Sequence, residues 1–298
     1  MPFLGEISAL LTATFWSGSS LAFAAAIRRV GSVQVNVTRQ LLAATILVTV
    51  VLVAGLGMNL TPSQVAYLAV SGVIGFAVGD TFLFQAFQAL GARVSMLIMS
   101  LAPAVSAALA YMLLGEDLSL AAFGGIALTI AGICFVIMER SDVDDDAAVH
   151  KITPAGIALA VVAAAGQGSG LVFAKMAFRD GPVNGFVATL VRISASLVVL
   201  LPIAVLTGKY RHPFEPYLRD PRAFSLTLLG AVFGPVLGVV GSLIAIQYTH
   251  VGIAATLMAT TPVIMLPLVH IIHRERLGWR AFAGTATAVA GVAVLFLR

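Results

Sequence analysis

Apolar runs of roughly twenty residues, broken only by short turns, fill this chain from one end to the other. That pattern decides the solvent before it decides the fold. About 20 mostly apolar residues is the length of helix that crosses a hydrocarbon core. Backbone polar groups facing lipid must be satisfied within the segment, so such runs are read as helices. With 60% hydrophobic and 10% charged residues and a mean hydropathy of +1.03, against ~25% charged in soluble domains, a water-soluble globule is excluded. Disorder, collagen and coiled coil fall with it. The expectation is an integral, multi-pass membrane protein with its lipid bilayer as partner.

Ten candidate helices emerge, at residues 4–27, 35–56, 62–90, 94–114, 118–138, 154–178, 185–206, 222–248, 251–272 and 277–297. Gly31-Ser32, Gly57-Met58-Asn59, Gly91-Ala92-Arg93, Gly115-Glu116-Asp117 and Gly181-Pro182 carry turn chemistry between them. Two longer connections remain: 139–151, with Asp142, Asp144, Asp145 and Asp146, and 208–221, with three prolines. The acidic run reads as a solvated linker. The residues before the first run hold Glu6 and no Lys or Arg until Arg28, unlike a cleaved signal peptide, so that run is expected to be retained. Cys134 has no partner cysteine and sits in an apolar run, as a small core residue would.

The linker divides the chain into a first repeat, 1–140, and a second, 153–298, with 141–152 between them. A shift of 159 residues aligns 75–139 with 234–298 without a gap, pairing Gly75 with Gly234, Gly79 with Gly238, Gln88 with Gln247, Met99 with Met258, Pro103 with Pro262 and Glu116 with Glu275. A shift of 150 matches residues 19–24 to 169–174. Five helices per half means that the second half enters the membrane from the opposite side. The expected fold class is therefore all-α integral membrane, with ten transmembrane helices as two inverted five-helix repeats around a central cavity.

Lys and Arg mark the cytoplasmic side. Thirteen of them fall in or beside the loops after helices one, three, five, seven and nine, against two on the other side, which places both termini outside the cytoplasm. The formal charge of +4 is spread singly between apolar runs and forms no stripe, so no nucleic-acid partner is expected. Inverted repeats let a midplane site open alternately to either side by rocking one bundle against the other, which is the architecture of a transporter of small molecules.

Rival classes lack their motifs. Ala77-Val78-Gly79-Asp80 misses one glycine of an intramembrane aspartyl protease motif and has no second buried Asp. Gln167-Gly168-Ser169-Gly170 has no assigned base for its serine. His270 and His273 with Glu275 read as a solvated helix end rather than a metal site. No dense polar filter or charged ring marks a channel. No enzyme activity, cofactor or metal is expected.

Ionisable groups at membrane depth are functional candidates by default. Asp80 is the one carboxylate well inside an apolar run. Arg39, Lys175 and Arg192 are the cations within helices. Asp80 is either a structural partner of Arg39 or Arg192, or a proton-coupling group. Arg39 and Lys175 either snorkel to the interface or serve the interior. Cavity candidates are Trp16, Ser17, Ser19 and Ser20, then Gln85, Gln88, Ser95 and Ser100. The second half adds Gln167, Ser169, Ser242, Gln247, Thr256, Thr260 and Thr261. Small hydroxyls in membranes are more often helix-packing contacts than ligands. Pro103 and Pro262 are expected to kink helices four and nine. Gly234-Pro235, within a glycine series in helix eight, is expected to form a bending element.

Phe15-Trp16-Ser17-Gly18 in helix one, Pro103 followed by Gly115-Glu116, and the echo Pro262 with Glu275 resemble the EamA-type branch of the drug/metabolite transporter superfamily. The resemblance spans the chain. It implies a ten-helix exporter of small metabolites in the plasma membrane, here the bacterial inner membrane, acting as a monomer. Amino acids, aromatic compounds and toxic amphipathic cations are its typical cargo, with YddG-like aromatic amino acid exporters among its members. Two departures stand out: Gly166-Gln167-Gly168 answers the Trp16 region, and Arg274 answers Gly115. The family habit of cytoplasmic termini also opposes the charge count.

Overall fold

The structure is a computed structural model and describes residues 3–114, 120–137, 152–248, 254, 257–273 and 278–296. The acidic linker 139–151, Gly115, Glu116, Thr256, Arg274 and Glu275 lie outside the described residues, as do the side chains of Gln247 and His273.

Chain reversal is placed by glycine. α1 (Leu4–Val30) and α2 (Ser32–Val53) are separated by Gly31 alone, at φ 86°, a conformation that L side chains rarely adopt. α3 (Pro62–Gly72) begins at a capping box: Gln64 N–H donates to Thr61 Oγ1 at 3.1 Å, and Thr61 N–H to Gln64 Oε1 at 3.0 Å. A π-helical turn, Val73–Gly79, leads into α4 (Asp80–Ile98), which breaks at Gly91 (φ 77°). A 3₁₀ turn, Met99–Leu101, leads into α5 (Ala102–Leu114), followed by α6 (Leu120–Ile137).

The second half repeats this grammar. α7 (Pro154–Ala177) and α8 (Gly185–Leu206) are capped by Thr153 and Asn184. After the short α9 (Glu215–Arg219), α10 (Pro221–Ala231) starts from Asp220, whose carboxylate accepts the N–H groups of Arg222 and Ala223 at 3.1 and 3.3 Å. A second π turn, Val232–Gly238, runs into α11 (Val239–Tyr248). α12 (Thr261–His273) and α13 (Trp279–Phe296) complete the described helices. The shift of 159 residues carries Thr61 onto Asp220, Pro62 onto Pro221 and one π turn onto the other.

Among the described residues, six helical stretches are long and apolar enough to cross a membrane, namely Leu4–Val30, Ser32–Val53, Pro62–Leu113, Pro154–Asp180, Gly185–Leu206 and Pro221–Ala245. Leu120–Val136 and Thr261–Ile271 are shorter apolar helices. No strand occurs among the described residues. Expected helix three is α3, the π turn and α4 as far as Gly91, and expected helix eight is α10, its π turn and α11.

Packing exchanges the first helix of each half. α1 lies against α10, the second π turn, α11 and α12, whereas α7 lies against α3, the first π turn, α4 and α5. α6 and α13 pack through small residues. A Cβ on Gly132 would stand 2.6 Å from Gly284 O, one on Gly291 would stand 2.7 Å from Gly125 O, and Thr129 Oγ1 donates to Ala288 O at 3.3 Å. Numbers rise along one helix as they fall along the other, so the pair is antiparallel. The residues that touch are related crosswise by the same shift: Gly125 and Gly132 meet the counterparts of Gly132 and Gly125, and Thr129 meets its own.

Candidate functional site

A cavity of about 220 Å³ lies at the meeting of α1, α2, α4, α5, α7, α8, α11, α12 and the two π turns. This lies below the ~300–1,000 Å³ of pockets for drug-sized ligands and suits a small solute. One wall is aromatic: Phe23, Phe84 and Phe87 stand in sequence, with ring centroids 5.0 and 5.7 Å apart. Met96, Met99 and Trp16 extend the apolar lining.

The first π turn places the charge. Its widened turn ends with Asp80 N–H donating to Gly75 O, five residues back, which puts the Asp80 carboxylate against the cavity. Gln167 of α7 reaches across, donating from Nε2 to Gly75 O at 3.3 Å and also to Asp80 Oδ1. Close helix packing allows the reach, since a Cβ on Gly166 would stand 2.8 Å from the Gly79 Cα. Arg39 donates to the other oxygen, Asp80 Oδ2, and to Asn36 Oδ1 at 3.0 and 3.2 Å. Its guanidinium lies over Phe84, 4.6 Å from the ring centroid. Asp80 and Arg39 are both 4% exposed. Each Asp80 oxygen accepts a hydrogen bond, Oδ2 from the Arg39 guanidinium and Oδ1 from the Gln167 amide, so with the carboxylate ionised the Arg39–Asp80 pair carries no net charge.

Arg192 is different. It is 5% exposed, lines the same cavity and sits 4.6 Å over the Phe76 ring. Among the described residues it makes no ion pair or hydrogen bond, and its buried Nε has no partner. Its backbone is held by Gly72, where a Cβ would overlap Arg192 O at 2.0 Å. Arg39 and Arg192 are each the eighth residue of their helices, α2 and α8.

Of the residues nominated from sequence, Trp16, Ser19, Ser20, Arg39, Asp80, Ser100, Pro103, Gln167, Arg192, Gly234, Pro235, Ser242, Thr261 and Pro262 line the cavity. Ser17 is buried beside it, donating to Thr261 O at 3.0 Å and Ala13 O at 2.8 Å. Ser95, Ser169 and Thr260 donate to carbonyls of their own chain segments at 2.8, 2.7 and 2.6 Å. Gln85 is half-buried and Gln88 exposed, and neither lines the cavity. Lys175 is half-buried in the last turn of α7. Pro103 and Pro262 each occupy the second residue of a helix, after a break, where a proline's missing N–H costs nothing. Pro103 follows the 3₁₀ turn Met99–Leu101 within the helical stretch Pro62–Leu113, and Pro262 stands at the start of α12.

Sequence reasoning missed Asn36 and Gln40, which bind each other at 3.2 Å and share Asn36 Oδ1 with Arg39. Arg39 and Gln40 lie three and four residues after Asn36, which puts all three on one helix face, and that signal was available.

At the surface, the Arg29 guanidinium, 2.7 Å from Asp220, and the backbone N–H groups at the α10 start hold the Asp220 carboxyl below the usual carboxylate range.

A family model described as the EamA-like transporter family matches residues 3–138 and again residues 154–297. A comparison with curated proteins returns no match. One solved crystal structure, described only as that of a protein, is similar to this chain at a TM-score of 0.68 and 17% identity, covering 97% of this chain and 94% of that one. At that identity the likeness is one of fold.

Proposed function

The chain belongs to the EamA-like transporter family, a family of membrane transporters of small molecules, and on that premise we propose that it exports small metabolites by alternating access. Its cargo is aromatic or hydrophobic amino acids or related amphipathic compounds. Ten transmembrane helices form two inverted repeats of five, and the cavity between them is the cargo site. The observation that carries this reading is the cavity itself, whose walls come in equivalent pairs from both matched segments: Phe76 and Pro235, Asp80 and Val239, Pro103 and Pro262. The crosswise contacts of α6 and α13 support the inversion, because a two-fold axis that relates antiparallel helices runs perpendicular to them, in the membrane plane.

The same reading makes the protein a monomer in the plasma membrane, with no enzymatic step and no cofactor. Proton coupling through Asp80 is the second reading, favoured by burial of a single carboxylate against the cavity.

Flux of labelled amino acids in proteoliposomes, with and without a pH gradient, tests both. Saturable, competable flux is expected. Non-saturable leakage would indicate a channel, and flux that follows the pH gradient and loses that dependence in Asp80→Asn would establish coupling.

A further inference from the structure

Among the described residues lining the cavity, the ionisable groups are Arg39, Asp80 and Arg192. Arg39 and Asp80 neutralise one another, and Gln167 occupies the second carboxylate oxygen. One positive charge is left over, on the guanidinium of Arg192. A buried cation is retained at membrane depth only against a compensating charge, and this one has cation–π contact with Phe76 and no hydrogen-bonded anion. Ser100 Oγ, 4% exposed and without a partner, lines the same cavity. Two buried polar atoms therefore await a ligand.

The geometry points to a cargo that carries a carboxylate: Arg192 binds the anionic group, and the Phe23, Phe84 and Phe87 wall with Met96 and Met99 takes an aromatic or branched apolar body. A guanidinium presents a planar fork of donors that matches a carboxylate. The site offers a cationic group nothing equivalent, because both oxygens of Asp80 are already engaged. An α-amino group is thus not required, and organic cations are rejected by the uncompensated charge. This inference narrows the proposed export function to organic carboxylates and rests on it only for the direction of transport, since binding is measured separately from flux.

The probes are 3-phenylpropionate, its uncharged amide and 3-phenylpropylamine, which share one apolar body and differ in charge. Binding is read on the purified full chain by equilibrium dialysis, and flux by counterflow in proteoliposomes. Wild-type protein is expected to bind the anion about tenfold or more tightly than the amide, and the amine more weakly still, as loss of charge-assisted hydrogen bonds dictates. Arg192→Gln should erase the preference for anion over amide while leaving amide binding in place, and Arg192→Lys should restore part of it. The wild-type series alone decides the matter if Arg192→Gln fails to fold. Equal binding of the three probes, preference for the amine, or an anion preference that survives in folded Arg192→Gln would overturn the assignment. Anion-selective binding without flux would keep the carboxylate site and sink the transport reading. Flux without anion preference would do the reverse.

Discussion

The two π turns have the same register and different causes. In Val232–Gly238, Pro235 lacks an N–H and cannot close an ordinary helical hydrogen bond, so the turn widens around a missing donor. In Val73–Gly79 the equivalent residue is Phe76, which has its N–H, and a side chain from another helix intervenes instead: Gln167 donates to Gly75 O, which also takes the Asp80 N–H. Each turn delivers its last-plus-one residue to the cavity wall, Val239 in one case and Asp80 in the other. The backbone is repeated and the charge is not. A symmetric scaffold can open to either side, while an asymmetric lining gives the cargo a single polar end to engage.

The largest difference between the halves is expected at the residue before each turn, Gly72 against Ala231. A methyl on Gly72 would overlap the Arg192 carbonyl, whereas Ala231 already accommodates one. Gly72→Ala should cost more than about 3 kcal/mol, beyond usual overpacking, and Ala231→Gly only about 1 kcal/mol. Chemical denaturation in detergent separates them.

Next in size are the turn ends. Asp80→Asn removes the carboxylate that pairs with the buried Arg39 guanidinium and should lower stability by about 3–5 kcal/mol. Val239→Ala should cost about 1–2 kcal/mol of lost apolar contact. Equal melting temperatures for the two variants would break the comparison.

Smaller effects are expected at the residues that tie the first helix of each half to the other half. Gln167→Leu loses hydrogen bonds to Gly75 O and Asp80 and should cost about 2 kcal/mol, and Ser17→Ala, losing the bond to Thr261 O, about 1 kcal/mol.

The smallest effect is at the caps, where Asp220 titrates and Thr61 does not. The Asp220 carboxyl is held below its ordinary value by Arg29, so its contribution is present above the ordinary carboxylate pKa and is lost as pH falls through the lower folded-state value. The melting-temperature gap between wild type and Asp220→Asn should therefore be open at neutral pH and close in acid, while that for Thr61→Val stays constant.

Much of this was legible in the chain. Glycines 31, 91 and 181 mark breaks because only their backbones adopt the positive φ that each break uses. The shift of 159 residues pairs the two segments in which the π turns fall, though the sequence reads each as part of an unbroken helix. What the chain conceals is the turn type, since widening by one residue leaves no composition signal beyond Pro235, and in the first half the cause sits on a helix ~90 residues away. The choice of Arg39 over Arg192 as the partner of Asp80 is hidden for the same reason: both cations hold the same position in their helices, and only packing at Gly72 and the reach of Asn36 distinguish them.

The central claim is that cargo occupies one cavity exposed alternately to the two sides of the membrane. A cysteine at Ser100, in a Cys134→Ser background that removes the chain's only native thiol, tests it through reaction with a membrane-impermeant maleimide applied separately to each face of oriented proteoliposomes. Labelling from either face, slowed from both by saturating 3-phenylpropionate, is the predicted result. Labelling from one face only, under every condition, would contradict it.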